Sequence, residues 1–179
     1  EQDLEELDGL IDASLTYARF EREAPEPHFS PTPLAPWLED EVANMRPLAR
    51  GLNIEVDCPP ASDRLIDLDR KAMPYALKNL LRNAIKYARQ TIRVSVDLQA
   101  THLLIHIDDD GIGIPEADRD RIFSAFTRLD RSRDRATGGY GLGLAIVRRV
   151  LEMHGGTATA DISPLGGARF TLRWPISQH

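Results

Sequence analysis

Asn79, Asn83, Lys86 and Tyr87 stand at i, i+4, i+7 and i+8, which at 100° per residue puts them on one face of a helix. Two carboxamides, an ammonium and a phenol are the groups that an Mg²⁺-bound triphosphate uses. Mg²⁺ is a hard cation that takes oxygen ligands and keeps several waters beside substrate phosphates. An amide oxygen serves it without adding negative charge beside the phosphates, and Lys86 would neutralise phosphate charge one turn further on. Plain solvent exposure also produces polar helix faces, so these four residues alone do not decide the matter.

A second group is Asp108-Asp109-Asp110-Gly111-Ile112-Gly113-Ile114-Pro115, directly after an alternating apolar and polar run. Asp-Gly on its own is a common turn signal. A calcium loop of the EF-hand type would need an Asp/Asn ladder and a Glu at its twelfth position. A dinucleotide fingerprint would need a third glycine, and Pro115 interrupts the turn into a helix. The reading left is a carboxylate, Asp110, accepting a hydrogen bond from the exocyclic amine of adenine, with Gly111 and Gly113 letting the backbone approach the flat base. A purine with an oxygen at that place would leave the carboxylate unpaired, which is how adenine is chosen over guanine.

The third group, Gly138-Gly139-Tyr140-Gly141-Leu142-Gly143-Leu144, leads into an apolar helical pattern. Backbone amides and the dipole at such a helix start suit phosphate. It is not a P-loop, because no Lys-Ser/Thr pair follows.

The elements that must position these groups are legible in outline. Residues 1–23 read as an amphipathic helix, with Leu4, Leu7, Ile11, Ser14 and Ala18 at heptad-like spacing, in need of a partner helix. Five prolines between Ala24 and Pro36 mark a linker. A helix is predicted from Trp37 to about Arg50, stopped by Gly51. Short strands are predicted near Leu52–Asp57 and Arg64–Leu68, then a strong helix over Arg70–Ala88 with Leu77, Leu80, Leu81, Ala84 and Ala88 on its core face. Thr91–Leu98 and His102–Asp108 read as a hairpin. A short helix over Glu116–Phe126, a polar loop over Thr127–Gly139, a helix over Leu142–His154 and closing strands at Thr157–Ile162 and Ala168–Trp174 complete the chain. The pattern describes an α+β sandwich preceded by a separate helix.

Composition narrows the class. The chain has 179 residues, 42% of them hydrophobic and 28% charged, with a net charge of -6. That is a globular profile, and the acidic balance argues against a direct nucleic-acid binder or a membrane-surface binder. A single cysteine, Cys58, leaves no disulfide framework and fits a reducing compartment.

In order and spacing, these segments resemble the catalytic ATP-binding domain of sensor histidine kinases, within the gyrase, Hsp90, histidine kinase and MutL superfamily. Asn79 to Tyr87 matches the N box, Asp110-Gly111-Ile112-Gly113 the first glycine box, Ile122 to Phe126 the F box, and Gly139 to Leu144 the second glycine box. The resemblance covers about residues 33–176 and implies a two-layer α/β sandwich, the Bergerat fold, with a mixed and mainly antiparallel sheet. It implies ATP and Mg²⁺ as cofactors. Asn83 would ligate the metal, with Asn79 nearby, and Lys86 and Tyr87 would contact phosphates or sugar. Asp110, with Gly111, Gly113 and Ile114, would hold adenine, and Thr171 on the last strand would help through water. Arg128, just after Phe126, would reach the γ-phosphate from a lid over Thr127–Gly139. Gly139, Tyr140, Gly141, Leu142, Gly143 and Leu144 would meet the phosphates. Tyr140 departs from the small residue, often Thr, common at its position.

The same resemblance assigns 1–23 to the second helix of a dimerisation and phosphotransfer hairpin and 24–32 to a linker. It implies a homodimer, an OmpR-type response regulator as partner, and a cytoplasmic domain of an inner-membrane sensor. None of His28, His102, His106, His154 and His179 has the acidic neighbour and following proline of the phosphoacceptor, which is expected upstream of Glu1. The chain alone should therefore bind Mg·ATP without phosphorylating itself. Two other readings are a degenerate, non-catalytic module, which Tyr140 leaves open, and an ATPase clamp. The clamp would need a glutamate base on the N-box helix, where the residue four before Asn83 is Asn79.

Overall fold

The computed structural model describes residues 18, 26–124 and 143–178. Its body is a five-stranded sheet in the order β2-β4-β5-β7-β6, with a separate pair β1-β3. The strands are β1 (Phe29–Pro33), β2 (Asn53–Asp57), β3 (Leu65–Asp69), β4 (Thr91–Leu98), β5 (His102–Asp109), β6 (Thr157–Ile162) and β7 (Ala168–Pro175). The helices are α1 (Leu34–Met45), α2 (Met73–Tyr87) and α3 (Gly143–Met153). β2 runs parallel to β4, and every other pairing in the sheet is antiparallel. This is the mixed two-layer arrangement that the sequence implies.

Alternation along the strands builds the core. Ile92, Val94 and Val96 of β4, Leu103, Ile105 and Ile107 of β5, and Phe170, Leu172 and Trp174 of β7 are all buried. The helices return the complementary stripe: Leu77, Leu80, Leu81 and Ala84 of α2, and Ile146, Val147, Val150 and Leu151 of α3. Each Val, Leu, Ile or Phe side chain among them taken from water contributes about 1.5–3 kcal/mol, so the helix layer is fixed by the faces that do not carry the polar groups.

The structure differs from the sequence reading in three places. The proline-rich stretch contains β1, antiparallel to β3 from Phe29↔Asp69 to Pro33↔Leu65. Pro31 and Pro33 are tolerated because a strand with one neighbour has a side on which no N–H is required. The first helix starts at Leu34 and its α-helical part ends at Met45, followed by a 3₁₀ turn over Arg46–Leu48 with Pro47 inside it. Proline lacks the N–H that would continue the helix; Gly51, at φ 76°, completes the stop. The segment expected as a helix over Glu116–Phe126 shows two 3₁₀ turns, Glu116–Asp118 and Arg121–Phe123. The helix expected over residues 1–23 and the loop over Thr127–Gly139 lie outside the described residues, apart from Ala18.

Candidate functional site

The polar face of α2 and the start of α3 come together. Asn79 donates from Nδ2 to the Tyr75 carbonyl at 2.7 Å, and its Oδ1 lies 3.0 Å from where a Cβ on Gly143 would stand. A Cβ on this first residue of α3 would crowd Asn79, whose side chain would have to give by a few tenths of an ångström. Asn83, Lys86 and Tyr87 follow along the same half-buried face, with Lys86 Nζ 5.2 Å from the Tyr87 ring centroid.

The three aspartates that end β5 have three separate tasks. Asp109 continues the face of Leu103, Ile105 and Ile107 toward the helices and is only 1% exposed. Its Oδ1 accepts from the N–H of Gly111 at 2.9 Å and of Ala168 at 3.1 Å. Among the described residues its Oδ2 has no such partner, and strand parity turns the side chain to the helix side of the sheet. Burial raises the Asp109 pKa, the Gly111 and Ala168 N–H groups oppose that, and the charges of Asp110 and Asp108 add to it.

Asp110, expected as the adenine acceptor, has both oxygens bonded to backbone. Its Oδ1 accepts from the N–H of Arg89 at 2.7 Å and of Gln90 at 3.1 Å, and its Oδ2 from those of Gln90 at 3.1 Å and Thr91 at 3.2 Å. Both oxygens are committed to the loop between α2 and β4, on the strand parity opposite to Asp109. Slight desolvation acts upward on its pKa, but the N–H groups of Gln90, Arg89 and Thr91 outweigh it and hold the carboxyl low. The sequence reading chose the aspartate that touches the glycine; alternation along β5 picks the one before it.

Thr171 is displaced for the same reason of parity. It sits between the buried Phe170 and Leu172, and so faces the outer side of the sheet, away from the helices. There its Oγ1 shares a 2.8 Å hydrogen bond with His106 Nδ1. Beside it a row of charges crosses the five strands: Glu55, Arg93, Asp108, Arg169 and Asp161 are successive cross-strand partners. Arg169 holds Asp108 through two contacts of 2.8 and 3.0 Å, and Arg93 holds Glu55 at 3.2 Å.

Glycines close the base of the cleft. A Cβ on Gly111 would strike the Tyr87 carbonyl, and one on Gly167 would strike Asp109 Oδ1 and the Gly111 nitrogen. Gly113, at φ +74°, faces Gly167, and a Cβ on it would meet the Gly167 carbonyl oxygen at 3.5 Å, ordinary contact, so its backbone conformation and not its space favours glycine. Ile114 is half-buried against the core, as is Leu144 in the first turn of α3. The turn with Ile122 and Phe123 packs beneath: Phe123 meets Phe170 edge-on at 6.1 Å, and Arg148 of α3 lies 5.2 Å over Phe123 while pairing with Asp120 at 2.8 Å. Phe126, Arg128, Gly139, Tyr140, Gly141 and Leu142 lie outside the described residues.

The sequence reading singles out neither Asp109 nor Gly167, which the structure brings together. The signal for Asp109 was present in the period of β5 itself. Gly167 carried none, because its need for no side chain arises only when the β6–β7 turn meets the β5 turn.

This residue set fits a purine nucleotide. One end holds an acceptor on the helix side of the sheet between glycines that admit a flat ring, and the other holds two carboxamides and the start of a helix. Comparison with known proteins agrees. Residues 68–178 match the family described as histidine kinase-, DNA gyrase B-, and HSP90-like ATPase, and the chain belongs to this family. It is 39% identical over 175 residues to the sensor protein RstB of Escherichia coli K12, covering 98% of this chain and 40% of that protein. With the sensor histidine kinase CpxA of the same strain the figures are 40% over 126 residues, 70% and 27%. The chain thus spans less than half the length of these relatives. Among solved structures, full-length ShkA in complex with AMPPNP superposes with TM-score 0.81 at 26% identity, over 97% of this chain and 36% of that one. The ATP-binding domain of PrrB from Mycobacterium tuberculosis does so with TM-score 0.69 at 28% identity, over 84% and 98%. The chain is an ATP-binding catalytic domain of the sensor histidine kinase type.

Proposed function

We propose that this domain binds Mg·ATP and presents the γ-phosphate to a histidine carried outside the chain, for relay to an aspartate of an OmpR-type response regulator. The observation that supports this best is Asp109 on the helix side of the sheet, with no hydrogen bond to its Oδ2 among the described residues, and the Asn79–Tyr87 face on the helix above it. Asp109 accepts the adenine amine in place of Asp110, and Thr171 has no part in binding. Gly111, Gly113 and Gly167 give the base its room.

At the far end, Asn83 offers an amide oxygen to Mg²⁺, with Asn79 beside the metal or phosphates and Lys86 and Tyr87 toward the phosphates or sugar. The amides at Gly143 and Leu144 begin α3 next to Asn79, where a helix start favours anions. When bound, the metal neutralises phosphate charge and fixes the reacting group, the main contribution available to phosphoryl transfer. Arg128 is proposed to reach the γ-phosphate, and Gly139, Tyr140, Gly141 and Leu142 to cover the phosphates. Residues 1–23 are proposed to be the second helix of a dimerisation hairpin in a homodimeric inner-membrane sensor with this domain in the cytoplasm. The names of RstB and CpxA as sensors support that reading.

Titration with a non-hydrolysable ATP analogue and Mg²⁺ tests the binding. Saturable binding that Asn83→Ala makes insensitive to Mg²⁺ is expected; no binding refutes the reading. Incubation with γ-labelled ATP tests the rest. The chain alone should stay unlabelled, and a separately supplied phosphotransfer domain should acquire an acid-labile phosphate. Acid-labile labelling of the chain itself would overturn the placement of the acceptor outside it.

A further inference from the structure

We propose that Asp110 is a positioning residue for the nucleotide site: its carboxylate pins the loop after α2 to the end of β5 and so sets the distance between Asp109 and the Asn79–Tyr87 face. The inference rests on the reading of Asp109 as the adenine acceptor.

A nucleotide spans two pieces of chain that are far apart in sequence. Its base lies at the end of β5 and its phosphates lie along α2. The apolar face of α2 packs the helix on the sheet in one core with β5, but its polar end stops at Tyr87 with Ala88 already extended. The chain then reaches β4 at Thr91 through Arg89 and Gln90 alone. Asp110 takes the N–H groups of Arg89, Gln90 and Thr91, all three consecutive donors of that passage. The Gln90 carbonyl in turn accepts from Asn53 at 2.8 Å, which ties the same passage to the start of β2. Around it the packing leaves no slack, since Gly111 stands against the Tyr87 carbonyl closely enough that a Cβ there would collide.

Two adjacent carboxylates therefore divide the work by strand parity. Asp109 faces the cleft and meets the ligand. Asp110 faces the loop and holds the last turn of α2, with Lys86 and Tyr87 on it, in register with Asp109. Without the Asp110 carboxylate, three neighbouring N–H groups lose their acceptor and turn to water. The Tyr87 carbonyl is then free to move off Gly111, and the N–H of Gly111 is one of the two that orient Asp109 Oδ1.

The test compares binding of ATP and of inosine triphosphate, which carries an oxygen in place of the amine, to the chain and to Asp110→Ala and Asp110→Asn, well below each protein's melting temperature. Asp110→Ala is expected to weaken ATP about tenfold, the scale of one charge-assisted hydrogen bond, with little change for inosine triphosphate, so that the preference for ATP collapses. Asp110→Asn keeps Oδ1 for Arg89 and Gln90 and should recover most of that preference, falling short by about threefold through the lost Thr91 acceptor.

A role confined to stability would lower both affinities in parallel, and that outcome overturns the proposal. So does an unchanged preference in Asp110→Ala, or a preference lost as fully in Asp110→Asn as in Asp110→Ala, which would mean direct contact with the base. Should Asp110→Ala not fold, Asp110→Asn carries the test alone, and an unchanged preference in it overturns the proposal. Loss of preference in Asp109→Asn beside no effect at Asp110 defeats this inference only. No effect at Asp109 defeats the adenine reading, and the proposal with it.

Discussion

The Nε2 of His154 accepts the backbone N–H of Asp69 at 3.0 Å, while its Nδ1 lies 2.7 Å from the Val150 carbonyl and donates to it. The ring is fully buried, edge-on to Phe29 and Trp174. Protonated Nε2 could no longer accept, so the neutral ring belongs to the fold. Burial lowers the His154 pKa against the opposing pull of the Val150 carbonyl and the Asp69 charge. His106 is lowered too, by burial and by Arg169, against Asp108 and Asp97.

Both histidines therefore take up protons more readily in the unfolded chain, which titrates near pH ~6.5. Stability is full above that pH, falls as the pH drops toward the two lowered folded values, and levels off below them. Asp109, whose pKa is raised, acts in the opposite sense nearer the carboxylate range. The urea midpoint should fall between pH 7.5 and 5.5 in the native chain and flatten in a His106→Gln, His154→Gln double variant. An equal slope in both proteins would refute the assignment.

Asp109→Asn should cost roughly 10- to 100-fold in ATP affinity, from a charge-assisted hydrogen bond worth about 1.5–3 kcal/mol. Its amide oxygen can keep the Gly111 and Ala168 N–H groups, which leaves an NH₂ facing the adenine amine, donor to donor. Calorimetry on the folded variant checks this, and unchanged affinity would place the base elsewhere.

Gly167→Ala should damage the same end of the site without touching any ligand group. The added methyl meets Asp109 Oδ1 and the Gly111 nitrogen, so the turns must part. Overpacking of this kind costs about 1–3 kcal/mol of stability, and the shifted Asp109 should weaken ATP more than the phosphate chain alone. Thermal melting together with ATP and tripolyphosphate titrations separates the two effects.

Thr171→Val should leave ATP affinity unchanged. It removes the hydrogen bond to His106 on the outer face of the sheet, worth about 0.5–1.5 kcal/mol, while valine suits a strand. A clear loss of affinity would return Thr171 to the site.

The layers, the β4–β5 hairpin and the polar face of α2 were legible because each rests on a period that one sequence displays. Thr91–Leu98 and Thr157–Ile162 have the bounds that alternation alone suggests. The same two-residue period turns Asp110 and Thr171 away from the face that Asp109 shares with Ile107 and Ile105, and a glycine neighbour or a hydroxyl by itself carries no such phase. What alternation cannot show is how two turns meet. The approach of Gly167 to Asp109, and of Gly111 to Tyr87, exists only once β5, β7 and α2 are assembled. β1 was hidden differently, since its prolines carry the usual mark of a break and only the company of β3 makes a strand of them.

That strand changes where this domain can be cut. Phe29–Pro33 is held along its length by β3, Arg70 reaches the Pro31 carbonyl and the Thr32 hydroxyl, and the His28 N–H closes on Asp69 Oδ2 at 3.1 Å. The same Asp69 receives the N–H groups of Lys71 and Ala72 where the chain turns into α2. A chimaera joined at residue 33 would inherit the pocket residues and lose the seam that anchors the helix bearing them; one joined before His28 would carry it intact.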